Sequence, residues 1–78
     1  MTINDLKAGQ AARVVDVTLS GATGQRLLDM GFVEGTLVKI VRNAPLVDPI
    51  DLLVRGYHVS IRHDEAKGVK VELENGSA

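Results

Sequence analysis

Five stretches of the chain alternate apolar with polar residues, and each ends at a glycine, a proline or a polar cluster, the pattern of short strands with one buried face. The first begins near Ala11, after the turn signal Lys7-Ala8-Gly9-Gln10, and has apolar residues at 12, 14, 15, 17 and 19. Its apolar set changes face between Val14 and Val15, which predicts a β-bulge there. In the second, Val38 and Ile40 alternate with Lys39 and Arg42. The third places Ile50, Leu52 and Val54 on one face and Asp51, Leu53 and Arg55 on the other, and stops at Gly56. Val59 and Ile61 mark a fourth, and Val69, Val71 and Leu73 alternate with Lys70, Glu72 and Glu74 as the fifth. Ile3 and Leu6 bracket an acidic, polar start. Segment 43–49 contains Pro45 and Pro49, which cannot donate to a ladder, so it reads as a loop between paired strands, with Asp48 placed to bond its own backbone. Arg62 to Gly68 reads as a polar helical turn closed by glycine, and Glu74 to Ala78 as a frayed tail.

The stretch from Gln25 to Arg42 organises the rest, because a helix end, a turn and a strand follow one another there. Leu27, Leu28 and Met30 fall within one helical turn and are expected to share a face, and Gly31 stands where a left-handed residue ends a helix. A Schellman cap would bond the Gly31 N–H to the Leu28 carbonyl and the Phe32 N–H to the Leu27 carbonyl. Glu34-Gly35 then signals a turn into the second strand. Either Ser20 or Thr23 could cap the start of this helix, since Ser20-Gly21-Ala22-Thr23-Gly24 breaks the preceding strand.

Five strands and one short helix cannot cover two sheet faces in 78 residues, so the sheet is expected to curl into a small, partly open barrel. One domain is expected, with a core from about residue 6 to 73, burying only around 60 to 65% of the unfolded chain's surface. The chain has no Cys, so neither a disulfide nor a thiolate metal site supplements that core, and Val, Leu and Ile must suffice with one Phe and one Tyr. A formal charge of -1 gives no broad basic field, which disfavours nucleic acid as a partner. The start of the chain lacks a basic region followed by an apolar run, and nowhere do about 18 apolar residues occur together, so a soluble, cytoplasmic protein without membrane insertion is expected.

Little in the chain points to catalysis. Ser20, Ser60 and Ser77 have no nucleophile-elbow context, and Gly21-Ala22-Thr23-Gly24 lacks the spacing of a phosphate loop. His58 and His63, with Asp48, Asp51, Asp64 and Glu65, offer nitrogen and oxygen donors, but their spacing matches no metal motif; both histidines read as ordinary surface residues, and no cofactor or dedicated metal site is expected.

Taken in order, Ser20-Gly21, Arg26-Leu27-Leu28-Asp29-Met30-Gly31-Phe32, Gly35-Thr36, Ala44-Pro45-Leu46-Val47-Asp48-Pro49-Ile50 and Val54-Arg55-Gly56-Tyr57 resemble the FeoA family from about Leu6 to Leu73. The resemblance implies an SH3-like β-barrel with an inserted helix, in a small cytoplasmic, non-enzymatic protein that accompanies FeoB, the GTPase-linked membrane permease for ferrous iron. Similar domains end metal-dependent transcription repressors, where they follow a DNA-binding region that has no room here. A free-standing accessory or regulator is therefore the leading expectation, and the alternative is a stand-alone SH3-like module for another partner, such as a metalloregulator.

One apolar residue too many marks a candidate partner surface. If Ile50, Leu52 and Val54 fill the barrel, Leu53 points outward, and with Leu46 and Val47 it would form an apolar patch bordered by Arg42, Asp51 and Arg55. Such a patch suits contact with the cytoplasmic region of FeoB or weak self-association. The competing expectation is that the helix carrying Leu28 folds over it.

Overall fold

In the computed structural model, which describes residues 1–74, the alternating stretches become five strands: β1 (Ala11–Val17), β2 (Leu37–Arg42), β3 (Ile50–Val54), β4 (Tyr57–Ile61) and β5 (Val69–Leu73). Helix α1 (Gly21–Asp29) lies between β1 and β2, and a four-residue helix, α2 (His63–Ala66), forms the polar helical turn before β5. All strand pairs are antiparallel, in the order β4-β3-β2-β1-β5, so one curled sheet encloses the core and β4 and β5 are its edges. Val14, Val38, Ile40, Ile50, Leu52, Ile61 and Val69 are each at most 2% exposed, the inward half of the alternation.

Two bulges set which side chains face outward. The β1–β5 register shifts between Val14 and Asp16, at the predicted change of face, and leaves Val15 exposed. A second shift, between Ile40 and Arg42 in β2, was not anticipated, although Val41 and Arg42 already break the alternation after Ile40. Without it Arg42 would follow Ile40 inward; with it, Arg42 stands beside Asp51 on the outer face.

The joint after α1 closes as its sequence predicts. Gly31 has φ +109°, its N–H donates to the Leu28 carbonyl at 3.0 Å, and the Phe32 N–H donates to the Leu27 carbonyl at 3.1 Å. Leu27 and Phe32 are both fully buried, which supplies the apolar contact of this cap. Burying a side chain of that size contributes about 1.5 to 3 kcal/mol, so the cap and the core support each other. Leu28 departs from expectation. One residue, or about 100°, round the helix from Leu27, it is 42% exposed, whereas Met30, three residues on from Leu27, packs against the core.

At the other end, Ser20 occupies the N-cap with an extended backbone but makes no side-chain cap bond, and Thr23 lies inside the helix. Gly24 has a packing reason, since a Cβ there would stand 2.1 Å from the Leu19 carbonyl oxygen. Ile3 and Leu6 are core residues, Ile3 opening and Leu6 following a 3-10 turn, Ile3–Asp5, that is closed by a bond from the Thr2 N–H to Asp5 Oδ2 at 2.9 Å. Glu74 is tied down rather than frayed: its N–H donates to the Ala11 carbonyl at 2.9 Å and its carboxylate meets Arg13 Nε at 2.9 Å. The rest of the expected tail, 75–78, lies outside the described residues.

A side chain at Gly31 would meet both its φ and Val54 Cγ1, 3.1 Å from the Cβ position. Gly31→Val is therefore expected to lower unfolding stability by about 1 kcal/mol or more. Denaturant melts check this, and an unchanged midpoint would show that the joint tolerates a Cβ.

Candidate functional site

The loop from Asn43 to Pro49 carries half of the anticipated surface, and it is held by polar side chains from distant parts of the chain. Asn43 Nδ2 donates to the carbonyls of Leu6 at 2.7 Å and Asn4 at 3.3 Å. His63 Nε2 lies 3.1 Å from the Ala44 carbonyl and 3.0 Å from that of Val47, so it carries a proton, while Nδ1 meets the Asn4 side chain at 2.6 Å. This corrects the expectation that His63 is an ordinary surface residue: it is half-buried and joins the loop to the N-terminal turn. Asp48 is corrected likewise. Instead of bonding its own backbone, its Oδ1 accepts the first N–H of α2, from His63, at 2.7 Å, and its Oδ2 lies 3.6 Å from Arg62 Nη2.

On this braced loop Leu46 is fully exposed and Val47 is 58% exposed. The Val47 N–H donates to the Ala44 carbonyl at 3.2 Å, and with Pro45 second and Leu46 third at φ +63° the turn is type II. Glycine or asparagine takes that third position without strain; leucine does not. Leu46, Pro45, Asn43, His63 and residues 4–7 line a cleft of about 290 Å³.

The other half of the anticipated surface lies apart. Leu53, half-buried, lines a separate depression of about 230 Å³ with Leu37, Val38, Lys39, Arg55 and Gly56, and no residue lines both. Arg42 lies between them in register and is engaged: its Nη2 donates to Asp51 Oδ2 at 2.5 Å, while Ser60 Oγ donates to Asp51 Oδ1 at 2.7 Å. Helix α1 covers neither Leu46 nor Val47. Leu37, 41% exposed, was missed by sequence reasoning, although it shares the outward parity of Lys39 and so carried the same signal as Leu53.

Chemistry is sparse among the described residues, where no group of three or more His, Asp or Glu side chains could hold a metal ion. His58 is exposed on β4, opposite Leu53. Glu65, buried, accepts from the Arg62 N–H at 2.9 Å and pairs with Arg26 across the α1–α2 contact. Ser60 is bound to Asp51, Ser20 sits at the helix start, and Ser77 lies outside the described residues. No described helix is long and apolar enough to cross a membrane.

Residues 1–73 match the FeoA domain model. The chain belongs to the FeoA family. Over its full length it is 37% identical to part of a Porphyromonas gingivalis protein described as a Fe(2+) transport protein A/Fe(2+) transporter FeoB fusion protein, of which it spans 9%. Its fold matches the solution structure of iron(II) transport protein A from Clostridium thermocellum with a TM-score of 0.89 and 36% identity, over 97% of this chain and 47% of that one. It also matches Stenotrophomonas maltophilia FeoA complexed with zinc, described as a prokaryotic SH3 domain protein, with a TM-score of 0.83 and 32% identity, over 92% of this chain and 89% of that one. The curled five-stranded sheet of this FeoA chain is thus an SH3-like barrel carrying one inserted helix.

Two outcomes test the polar chemistry of this FeoA domain. Titration with ferrous or zinc ion is expected to give only weak binding, and a stoichiometric complex lost in His58→Ala or His63→Ala would contradict it. Asp51 is held below its ordinary pKa by the Ser60 hydroxyl first, with the Arg42 charge helping and burial opposing. A lowered folded-state pKa stabilises the fold above the unfolded value, and that contribution is lost as pH falls through the folded one. Ser60→Ala should therefore raise the Asp51 pKa and reduce stability at neutral pH, the deficit against wild type vanishing in acid. Carboxyl NMR titration and melts across pH measure both, and an unmoved Asp51 pKa would show that Ser60 does not set it.

Proposed function

We propose that this chain is a non-enzymatic accessory of ferrous iron uptake, acting in the cytoplasm by binding the cytoplasmic region of the FeoB transporter. The observation that carries the reading is the P. gingivalis fusion, in which a stretch 37% identical to the whole of this chain belongs to one polypeptide with FeoB. Covalent linkage keeps two partners at high effective concentration, an arrangement useful for domains that touch in operation. The site geometry agrees: exposed apolar side chains on a braced frame suit a docking surface better than a reaction centre.

Leu46 is the foremost contact in this proposal. A leucine that is both fully exposed and left-handed costs the free chain twice, through strain and through hydration, and contributes nothing to the core. Val47, Leu53, Arg42 and Arg55 complete the proposed surface in two separate contact areas rather than one patch. Self-association through the same leucine is the competing use of this surface.

Titration of the purified FeoB cytoplasmic region, with and without guanine nucleotide, tests the proposal. Leu46→Asp and Leu53→Asp are each expected to weaken the complex by on the order of 1 to 3 kcal/mol, with Leu46→Asp leaving the thermal melt unchanged. No complex under either nucleotide condition would remove the accessory role; wild-type affinity in an intact Leu46→Asp variant would remove the loop from the contact.

A further inference from the structure

We infer that the depression between Leu37 and Leu53 takes a partner segment in which an apolar side chain is flanked by carboxylates. This deepens the accessory reading by giving the chemistry of what is bound. Its floor and walls are Leu37, Val38, Leu53 and Gly56, its volume is about 230 Å³, and Leu37 is 41% exposed, so one large apolar side chain has room and surface to bury. The rim is cationic. Lys39 and Arg55 line the depression and no carboxylate does; His58 stands beside Leu53 in register.

The pairing of charges across the domain strengthens this. Arg13, Arg26, Arg42 and Arg62 each meet a carboxylate of the same chain, whereas among the described residues Arg55 is the one arginine without an ion pair; Lys39, like Lys7, Lys67 and Lys70, takes part in none either. The chain carries slightly more acidic than basic residues, and the four other arginines each have a carboxylate partner, so it is the unpaired Arg55 beside the apolar depression that stands out. Carboxylates on a partner would complete charge-assisted bonds there and steer the encounter.

Arg55 supplies an independent observation. It and Gly56 form the two-residue turn between β3 and β4, with φ of +54° and +82°, as a type I′ turn requires. Asparagine, aspartate or glycine fits the first position of that turn without strain; arginine does not. Its side chain lies along Gly31, where an added Cβ would come 3.9 Å from Arg55 Cδ and Nε, so the stem is laid against the helix cap beside the depression. A strained backbone that holds a cation at the rim of an apolar hollow is accounted for by what the cation binds.

The test follows amide shifts of labelled protein titrated with a capped Glu-Glu-Leu-Glu-Glu peptide and with its Lys-Lys-Leu-Lys-Lys counterpart. Saturable shifts are expected at Leu37, Lys39, Leu53, Arg55 and Gly56 with the acidic peptide alone. Arg55→Asn should weaken that binding by about tenfold or more, the loss of one charge-assisted bond, while its melting temperature stays equal or rises. Lys39→Gln, on an exposed strand position, should weaken it without altering the melt. Shifts that are absent, spread over the surface, or the same for both peptides would overturn the inference, as would undiminished binding in Lys39→Gln. A FeoB complex indifferent to both substitutions would remove the depression and leave the accessory role; specific peptide binding without any FeoB complex would do the reverse.

Discussion

The two backbone hydrogen bonds that close helix α1 at Gly31 govern much of this small domain. They redirect the chain, within two residues, from a helix on the barrel's flank to the approach to β2, and in doing so they place Phe32, the one phenylalanine, wholly inside. A domain of this size has few large side chains with which to fill its centre, so losing the contribution of one of them would not be made good elsewhere. The left-handed turn needed at that joint is open to glycine at low cost, and Val54 packs so closely behind it that the residue's lack of a side chain matters as much as its φ.

From that joint the consequences run outward to the surface. Because Gly31 is bare, the Arg55 side chain can lie along the cap, and the β3–β4 turn holds its charged end next to Leu37 and Leu53. At the far end of β3 the loop carrying Leu46 is stiffened differently, by Asn43 and His63 reaching to main-chain carbonyls and by Asp48 receiving the first N–H of α2. Leu46 and Arg55 are the two non-glycine residues with positive φ among the described residues, and both present side chains that the core does not use. Rigid presentation of strained side chains lowers the entropy lost on association, which is how a small barrel can offer specific contacts without a large interface.

The strands, their order along the chain, the capped helix, the bulge at Val14 and the loop around two prolines were all legible in the sequence. Each rests on local chemistry: side chains alternate with period two, proline cannot donate, and glycine alone turns left-handed cheaply. The ordered motifs from Ser20 to Tyr57 likewise carried the family. The roles of the polar residues were not legible, because their partners are remote. His63 bonds Asn4 across 59 positions and Asp48 serves a helix 15 residues away, pairings that exist only once the sheet has curled.

Sequence alone thus determined most of the inward strand face, since burial of alternating apolar side chains permits only one register per strand, although Leu73, in the apolar alternation of β5, is 41% exposed. It did not determine how the outward residues group. The bulge in β2 turns Arg42 toward Asp51, the position of Leu28 round its helix leaves it in solvent, and Leu46 and Leu53 fall at different ends of β3 in different hollows. Surface neighbours are fixed by strand register, helix rotation and sheet curvature together, which are properties of the whole packed chain and are not encoded in any one stretch of it.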